Sequence, residues 1–189
     1  MHVAIEQMIE TDRLLLKGIS PTVIHEQFLN RNEEEIKAFF GVEEQGLLHY
    51  REMHEQGMDT HRFSLFFFLI IEKRTGRPIG ECGFHTWNSK HRRAELFYLL
   101  RDEAHKGKGY MKEALPLVIS YGFEVLQLHR IEALVDKANA PSLRLLQGAG
   151  FQFEGIMRED YVVDGQNVDS HCYSLLQHEW PAAMHKVCR

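Results

Sequence analysis

Two glycines flanked by lysines form the segment of this sequence that most clearly suggests binding chemistry. The segment is His105-Lys106-Gly107-Lys108-Gly109-Tyr110-Met111, and it lies between an apolar run and an amphipathic one. Glycine lets the backbone approach a ligand closely, and successive N–H groups at a helix N-terminus can point at one anion. The pattern predicts a pyrophosphate-binding loop, with a simple tight turn before a helix as the competing interpretation.

A single carboxylate interrupts the apolar run before this loop. Glu95 lies in the run 94–100, where a carboxylate is costly unless it has a partner or a function. Burial would raise its pKa toward the range in which it can take a proton from an ammonium group, directly or through water. The alternative is an exposed strand residue paired with Arg92 or Arg93.

The elements that must position these residues follow from hydrophobic periodicity and turn signals. Seven strands are predicted, at 13–17, 63–71, 79–86, 94–100, 130–135, 152–163 and 168–178. Helices are predicted over 22–41 with a break at 30–32, over 43–56 with an end at Gly57, and over 111–126 and 141–148. Asp164-Gly165 is a strong hairpin signal. The order indicates an α/β (α+β) fold, a mixed sheet of about seven strands with helices on both faces.

Composition limits the class of protein. The chain has 189 residues with 44% hydrophobic content, which suits one domain over residues 1–189. No run reaches the roughly 20 apolar residues of a membrane span, and the N-terminus has no export pattern, so we expect a cytoplasmic protein with no membrane partner. Cys82, Cys172 and Cys188 are few and dispersed, and we expect them to be reduced thiols.

Charge is distributed unevenly along the chain. The net charge of −5 argues against direct binding of nucleic acid. Residues 21–60 hold nine acids and three bases, whereas residues 87–108 hold six bases and three acids. The first region suits a cationic acceptor or is simply a solvated helix surface, and the second suits an anion. Among the histidines, the five-residue spacing of His49 and His54, with His61 nearby, does not predict a metal site.

Several short motifs follow one another along the chain in a fixed order. Besides the glycine loop, they are Arg13-Leu14-x-Leu16, Ala94-Glu95-Leu96-x-Tyr98-x-Leu100, Asn139-x-x-Ser142-x-x-Leu145, Gly150-Phe151, Asp169-x-x-x-Tyr173-Ser174-Leu175-Leu176 and Glu179-Trp180. Together they resemble the GCN5-related N-acetyltransferase superfamily, specifically the branch that acetylates the N-termini of ribosomal proteins. The resemblance covers residues from about Glu10 to Trp180.

The resemblance implies a sheet that splays open beside the strand at 94–100, with acetyl-CoA bound in the gap and no metal. Amides of residues 106–111 would hold the pyrophosphate, although Ala104 stands where the family has Gln or Arg. Lys106 and Lys108 would compensate electrostatically. A bulge would let the backbone N–H groups of Leu99 and Leu100 polarise the thioester carbonyl.

The resemblance also assigns roles near the short helix at 141–148. Asn139 would contact the pantetheine arm and Ser142 would lie near the sulfur, although both also suit helix capping. Arg144 either reaches the adenosine phosphates or is an ordinary exposed arginine. Leu146 stands where many members of the superfamily have a tyrosine that serves as the proton donor. Ser142, a water molecule or Tyr110 would therefore protonate the leaving thiolate here.

The implied function is acetyl transfer from acetyl-CoA to a primary amine by direct attack in a ternary complex. We expect Glu95 to be the base and a protein N-terminal α-amino group to be the acceptor. The alternatives are a small-amine acetyltransferase, acting on a polyamine, an aminoglycoside or an amino-acid-like compound, and a non-catalytic coenzyme A-binding regulatory domain. A homodimer formed through the closing hairpin or its neighbouring strands is possible.

Overall fold

One mixed sheet of eight strands organises the computed structural model, which describes residues 7–56 and 64–181. The strands are β1 (Met8–Glu10), β2 (Leu14–Ile19), β3 (Ser64–Glu72), β4 (Arg77–Asn88), β5 (Arg93–Leu100), β6 (Arg130–Val135), β7 (Gln152–Val163) and β8 (Gln166–Leu176). Their order across the sheet is β1-β2-β3-β4-β5-β6-β8-β7. Among the strands of the described residues, only β5 and β6 pair in parallel.

Five α-helices connect the strands in the described part of the chain. They are α1 (Pro21–Asn30), α2 (Glu33–Phe40), α3 (Glu44–Gln56), α4 (Tyr110–Glu124) and α5 (Ala140–Gly148). The break predicted at 30–32 is confirmed, because Asn32 caps α2 with a capping box. The α3 end predicted at Gly57 and the strand start predicted at Phe63 lie outside the described residues.

The sheet has one strand more than the seven expected. The added strand, β1, has three residues and a single buried side chain, Ile9. This strand is too short to show the alternation of apolar and polar residues by which strands are predicted. The next strand continues through Gly18, which was expected to stop it, because the Gly18 N–H donates to the Gln7 carbonyl at 2.7 Å. The other six strands lie within two residues of their predicted bounds.

Helices cover both faces of the sheet, as expected. Phe66 and Phe68 of β3 pack with Tyr121 of α4 in one apolar cluster. The intervening residues Phe67 and Leu69 belong to a second cluster with α1, α2 and α3. A strand buried on both faces explains why the β3 sequence is continuously apolar rather than alternating.

The sheet opens between β5 and β6. These two strands pair only at Arg93–Arg130, Ala94–Ile131 and Glu95–Glu132. Beyond Glu95, β5 continues for five residues along β4 without pairing to β6. The opening begins beside Glu95, which is where the resemblance placed it.

The closing hairpin of β7 and β8 is confirmed, with its turn at Asp164-Gly165. Both residues have positive φ, 50° and 76°, as a two-residue hairpin turn of the mirror-image type requires. Among the described residues, no helix combines the length and apolar character needed to cross a membrane.

Candidate active site

Backbone amides of β5 face the opening of the sheet. The Arg101 N–H donates to the Ile79 carbonyl of the β4 side at 3.0 Å. Successive amides of a strand point to opposite neighbours. The amides of Tyr98 and Leu100 therefore point toward the opening, whereas that of Leu99 points toward β4.

The bulge expected at Leu99 and Leu100 is wrong for the β4–β5 pairing. The register is unbroken from Gly80–Leu100 to His85–Glu95. The irregularity lies instead on β4, between His85 and Asn88. It includes Thr86, whose φ of 52° is unusual for a β-branched residue.

This irregularity brings two polar side chains to Glu95. The Thr86 hydroxyl donates to Glu95 Oε2 at 3.4 Å, and His85 Nδ1 lies 3.6 Å from the same oxygen. Nδ1 of His85 is also 2.8 Å from the Thr86 hydroxyl. The Glu95 side chain is 13% exposed, so the carboxylate is sheltered but reachable from solvent.

The arginine partners considered for Glu95 have other contacts. Arg93 forms an ion pair with Glu132 at 3.2 Å. Arg92 donates to the Gln127 carbonyl at 2.8 Å. No lysine or arginine within the described ranges forms an ion pair with Glu95, so its interpretation as a paired surface residue is wrong.

Burial raises the pKa of Glu95 to about 7. The neighbouring carboxylates of Glu132 and Asp160 add to the rise, while the hydrogen bond from Thr86 opposes it. Burial also lowers the pKa of His85, which favours the neutral imidazole beside Glu95. A carboxylate with this pKa can exchange a proton at neutral pH.

The two faces of β5 carry different chemistry. Glu95 lies on the same face as Phe97, which packs toward α1, α2 and α3. Tyr98 lies on the opposite face and packs with the α4 cluster. Three residues of strand separate the two groups, about 10 Å along β5.

Tyr98 contacts the start of α5 across the opening. Its hydroxyl lies 2.5 Å from the hydroxyl of Ser142, and burial raises the pKa of Tyr98, although the Ser142 hydrogen bond opposes the rise. The phenol is therefore protonated at neutral pH. Asn139 caps α5 by accepting a hydrogen bond from the Ser142 N–H at 3.1 Å, as its sequence position suggested.

The glycine loop has the backbone geometry of an anion cradle. Gly107 and Gly109 have φ of 72° and 80°, in the left-handed region that favours glycine. Gly109 is the N-cap of α4, and no side chain accepts a hydrogen bond there. The first amides of α4 are thus open to an external acceptor, and the residues fit the pyrophosphate that the resemblance implies.

The side chains around the loop contribute less than expected. Tyr110 and Met111 are buried in the core, so only their amides can reach a ligand. The Tyr110 hydroxyl donates to the buried Glu72 carboxylate at 2.6 Å, which removes Tyr110 as a proton donor to the thiolate. Lys106 forms an ion pair with Glu103, so part of its charge is already balanced.

The remaining residues considered in the sequence analysis are two on α5 and the histidines tested for a metal site. Arg144 is exposed on α5, whereas Leu146 is fully buried in the core. In the part of the chain that the structure covers, no group of three or more His, Cys, Asp or Glu side chains is arranged to hold a metal ion. His54 instead lies 2.8 Å from His25, Nδ1 to Nδ1, and His61 lies outside the described residues.

Sequence reasoning missed three contributors to the site. Tyr98 was recognised only as part of a motif, and Thr86 and His85 were not singled out. Nothing in the β4 sequence marks the irregularity that directs Thr86 to Glu95. The alternation of β5 could have placed Tyr98 and Glu95 on opposite faces, but not Tyr98 against Ser142.

Comparison with known proteins identifies the family of this chain. Residues 13–152 match the family described as Acetyltransferase (GNAT) domain. The uncharacterised N-acetyltransferase YoaA of Bacillus subtilis is 34% identical over 180 residues, covering 90% of this chain and 97% of that protein. The spermidine N(1)-acetyltransferase of Escherichia coli is 33% identical over 100 residues, which is 53% of each chain.

The fold is also shared with solved structures. The ribosomal-protein-S5-alanine acetyltransferase of Vibrio fischeri superimposes with a TM-score of 0.65 at 22% identity, covering 93% of this chain and 99% of that one. Because the family match spans most of the chain and YoaA aligns over nearly its whole length, the chain belongs to the acetyltransferase (GNAT) domain family and is an acyl-CoA-dependent N-acetyltransferase.

Proposed function

We propose that this enzyme transfers acetyl from acetyl-CoA to the α-amino group of a protein N-terminus in a ternary complex. The observation that carries the proposal is Glu95, a sheltered carboxylate with no cationic partner among the described residues, beside the point where the sheet opens. Its pKa of about 7 suits proton exchange with an amine of an N-terminus, whose ordinary pKa is about 8.

Glu95 acts as the base. An ammonium group must lose a proton before its nitrogen can attack the acetyl carbonyl carbon. Glu95 accepts that proton directly or through a water molecule, and the Thr86 hydroxyl at 3.4 Å orients the carboxylate. Attack forms the C–N bond and moves the carbonyl π electrons onto the oxygen. When this adduct collapses, the C–S bond breaks, the thiolate leaves, and the nitrogen releases its second proton to solvent.

The Tyr98 amide stabilises the charge that develops on the carbonyl oxygen, because it lies nearer to Glu95 than the Leu100 amide does and its side chain contacts Ser142. It points into the opening of the sheet and has no partner strand on that side. A fixed donor of this kind contributes roughly a hundredfold in rate. Leu99 does not supply a second donor, because its amide is directed to β4.

Ser142 protonates the leaving thiolate, and Tyr98 supports it. The two hydroxyls are 2.5 Å apart, so a proton given up by Ser142 can be replaced by that of Tyr98. Asn139 and the Leu100 amide line the path of the pantetheine arm, and the amides of Lys108, Gly109, Tyr110 and Met111 hold the pyrophosphate. Leu146 has no part, since it is buried in the core.

Acidic groups favour a cationic acceptor. Glu132 and Asp160 lie near enough to Glu95 to raise its pKa, and the acid-rich helices α2 and α3 cover the same face of the sheet. Part of that acidity is balanced, since Glu33 pairs with Arg51. The same observations, with the match to spermidine acetyltransferase, support a polyamine as the second candidate acceptor.

The deciding experiment measures thiol release from acetyl-CoA with a panel of acceptors. Peptides with free alanine or serine N-termini and the same peptides blocked at the N-terminus would be compared with spermidine, and products would be identified by mass spectrometry. We expect turnover only with free N-termini. Preference for spermidine would select the second candidate. Coenzyme A binding without turnover on any amine would contradict both.

A further inference from the structure

One arginine before β2 reaches across the molecule to the glycine loop. The Arg13 guanidinium donates through Nη1 to the Lys108 carbonyl at 2.9 Å and through Nε to Glu113 Oε2 at 2.7 Å. Its Cζ lies 4.8 Å from the centre of the Tyr110 ring. Arg13 therefore contacts the residue before Gly109, the residue after it and the first turn of α4.

The Glu113 carboxylate holds this arginine in place. Glu113 also accepts from the Arg13 backbone N–H at 3.0 Å and from the Thr11 hydroxyl at 2.5 Å. Burial alone would raise the pKa of Glu113, but the hydrogen bonds from Thr11 and Arg13 outweigh it and lower that pKa. The carboxylate remains ionised and largely balances the charge of Arg13. The main effect of Arg13 on the loop is therefore to orient its backbone rather than to add positive charge.

The hydrogen bond from Arg13 to the Lys108 carbonyl also determines the direction of the next backbone amide. The Lys108 carbonyl and the Gly109 N–H belong to one planar trans peptide, in which they point in opposite directions. By holding the carbonyl oxygen, Arg13 fixes the direction of the Gly109 amide. Gly109 has φ of 80°, and a glycine without such a constraint can rotate its flanking peptide planes easily.

We propose that Arg13 is a positioning residue that aims the Gly109 amide at the pyrophosphate of the acyl donor. This proposal rests on the coenzyme A site of the proposed function. The side chain sets donor affinity through the loop, and it leaves the chemistry at Glu95 and Ser142 unchanged. Lysine cannot replace it fully, since one ammonium lacks the planar fork that reaches Lys108 and Glu113 together.

The test compares Arg13→Met and Arg13→Lys with the wild type. Coenzyme A affinity would be measured by calorimetry, and kinetics would be measured with acetyl-CoA and with the acetyl thioester of N-acetylcysteamine, which has no pyrophosphate. We expect the Kd for coenzyme A and the KM for acetyl-CoA to rise about five- to tenfold in Arg13→Met, and less in Arg13→Lys. The kcat with acetyl-CoA and the kcat/KM with the truncated thioester should stay at wild-type values.

Arg31→Met is the matched control, because Arg31 lies over Phe39, with its Cζ 5.1 Å from the ring centre, and has no contact with the loop. It should bind coenzyme A as the wild type does. Equal loss of activity with both thioesters in Arg13→Met would overturn the proposal, since that result indicates a general structural role. Unchanged affinity in both Arg13 variants would also overturn it. Failure of the wild type to bind coenzyme A would instead contradict the site itself.

Discussion

At the residue scale, Glu95 and Glu132 are neighbours in the short parallel pairing of β5 and β6. Glu95 is functional only as the carboxylate, and burial together with Glu132 raises its pKa to about 7. Below that pH it is protonated and cannot accept a proton. We therefore expect log kcat/KM to fall with a slope of one as pH decreases below about 7 and to level off above it.

Two variants separate this titration from that of the acceptor amine. Glu95→Gln should lose the inflection near pH 7 and about a hundredfold or more of kcat/KM. Glu132→Gln removes a charge that raises the pKa of Glu95, so its inflection should move to lower pH while activity persists. An inflection that stays at the wild-type pH in both variants would show that Glu95 is not the base.

Tyr98 gives a second prediction at this scale. Tyr98→Phe removes the hydroxyl 2.5 Å from Ser142 and keeps the packing of the ring, so the fold should be retained. We expect kcat to fall about tenfold with an unchanged KM for acetyl-CoA, because one hydrogen bond to the proton donor is lost. Ser142→Ala should lose more, and the double variant no more than Ser142→Ala. Fully additive losses in the double variant would contradict a shared proton path.

At the scale of elements, the glycine loop depends on backbone conformation. A Cβ atom added at Gly107 would have no atom within 4 Å, but the φ angle there is 72°. This left-handed conformation lowers the stability of the folded state by about 1 kcal/mol for any residue with a Cβ. We expect Gly107→Ala to weaken coenzyme A binding because the strained loop shifts its amides. Calorimetry and thermal unfolding would measure both effects.

Gly165→Ala is the matched control for this variant. Gly165 lies in the β7–β8 turn with φ of 76° and is equally open, so the backbone strain is similar. It should lose comparable stability while binding coenzyme A normally. Equal affinities in the two variants would exclude a role of the loop conformation in binding.

Elements were predictable from sequence where a local signal determines them. The β3 run, the helix break at 30–32 and the Asp164-Gly165 turn each carry their own pattern, and all three are confirmed. Predictions that depended on pairing between distant segments were less successful. The register at Leu99 and Leu100, where a bulge was expected, is unbroken, and the irregularity of this strand pair lies on β4 between His85 and Asn88. Arg93 pairs with Glu132, 39 residues away, which no local pattern reveals.

The same limit applies to the candidate site. The positions of Glu95 in a mostly apolar strand and of Gly107 and Gly109 before a helix were visible in the sequence. The contacts of Tyr98 with Ser142 and of Arg13 with Lys108 join segments 44 and 95 residues apart. Such contacts arise only once the sheet opens and the helices pack against it.

At the scale of the whole molecule, β7 is an edge strand of 12 residues whose side chains are almost all exposed. Long edge strands with apolar side chains readily pair with another chain unless something blocks them. Exposed apolar residues of β7 are Phe153, Ile156, Met157, Tyr161, Val162 and Val163. A patch of this kind on one element is typical of an interface, and a second copy of the chain would cover it.

We therefore expect a homodimer with β7 in its interface. Light scattering coupled to size-exclusion chromatography should give twice the chain mass of 22.1 kDa. Val162 is 68% exposed, so Val162→Lys should leave the folded subunit intact and shift the population toward monomer. Leu29→Lys is the control, because Leu29 is 74% exposed on α1 and should leave the dimer unchanged. A monomeric wild type would exclude the homodimer. A dimer that survives Val162→Lys but not Leu29→Lys would place the interface at α1 rather than β7.

Tyr161 and Asp160 of β7 lie close enough to Glu95 to interact with it electrostatically. A dimer formed through β7 would therefore border the entrance for the acceptor. The monomeric variant should then differ from the wild type in the KM for the acceptor more than in the KM for acetyl-CoA.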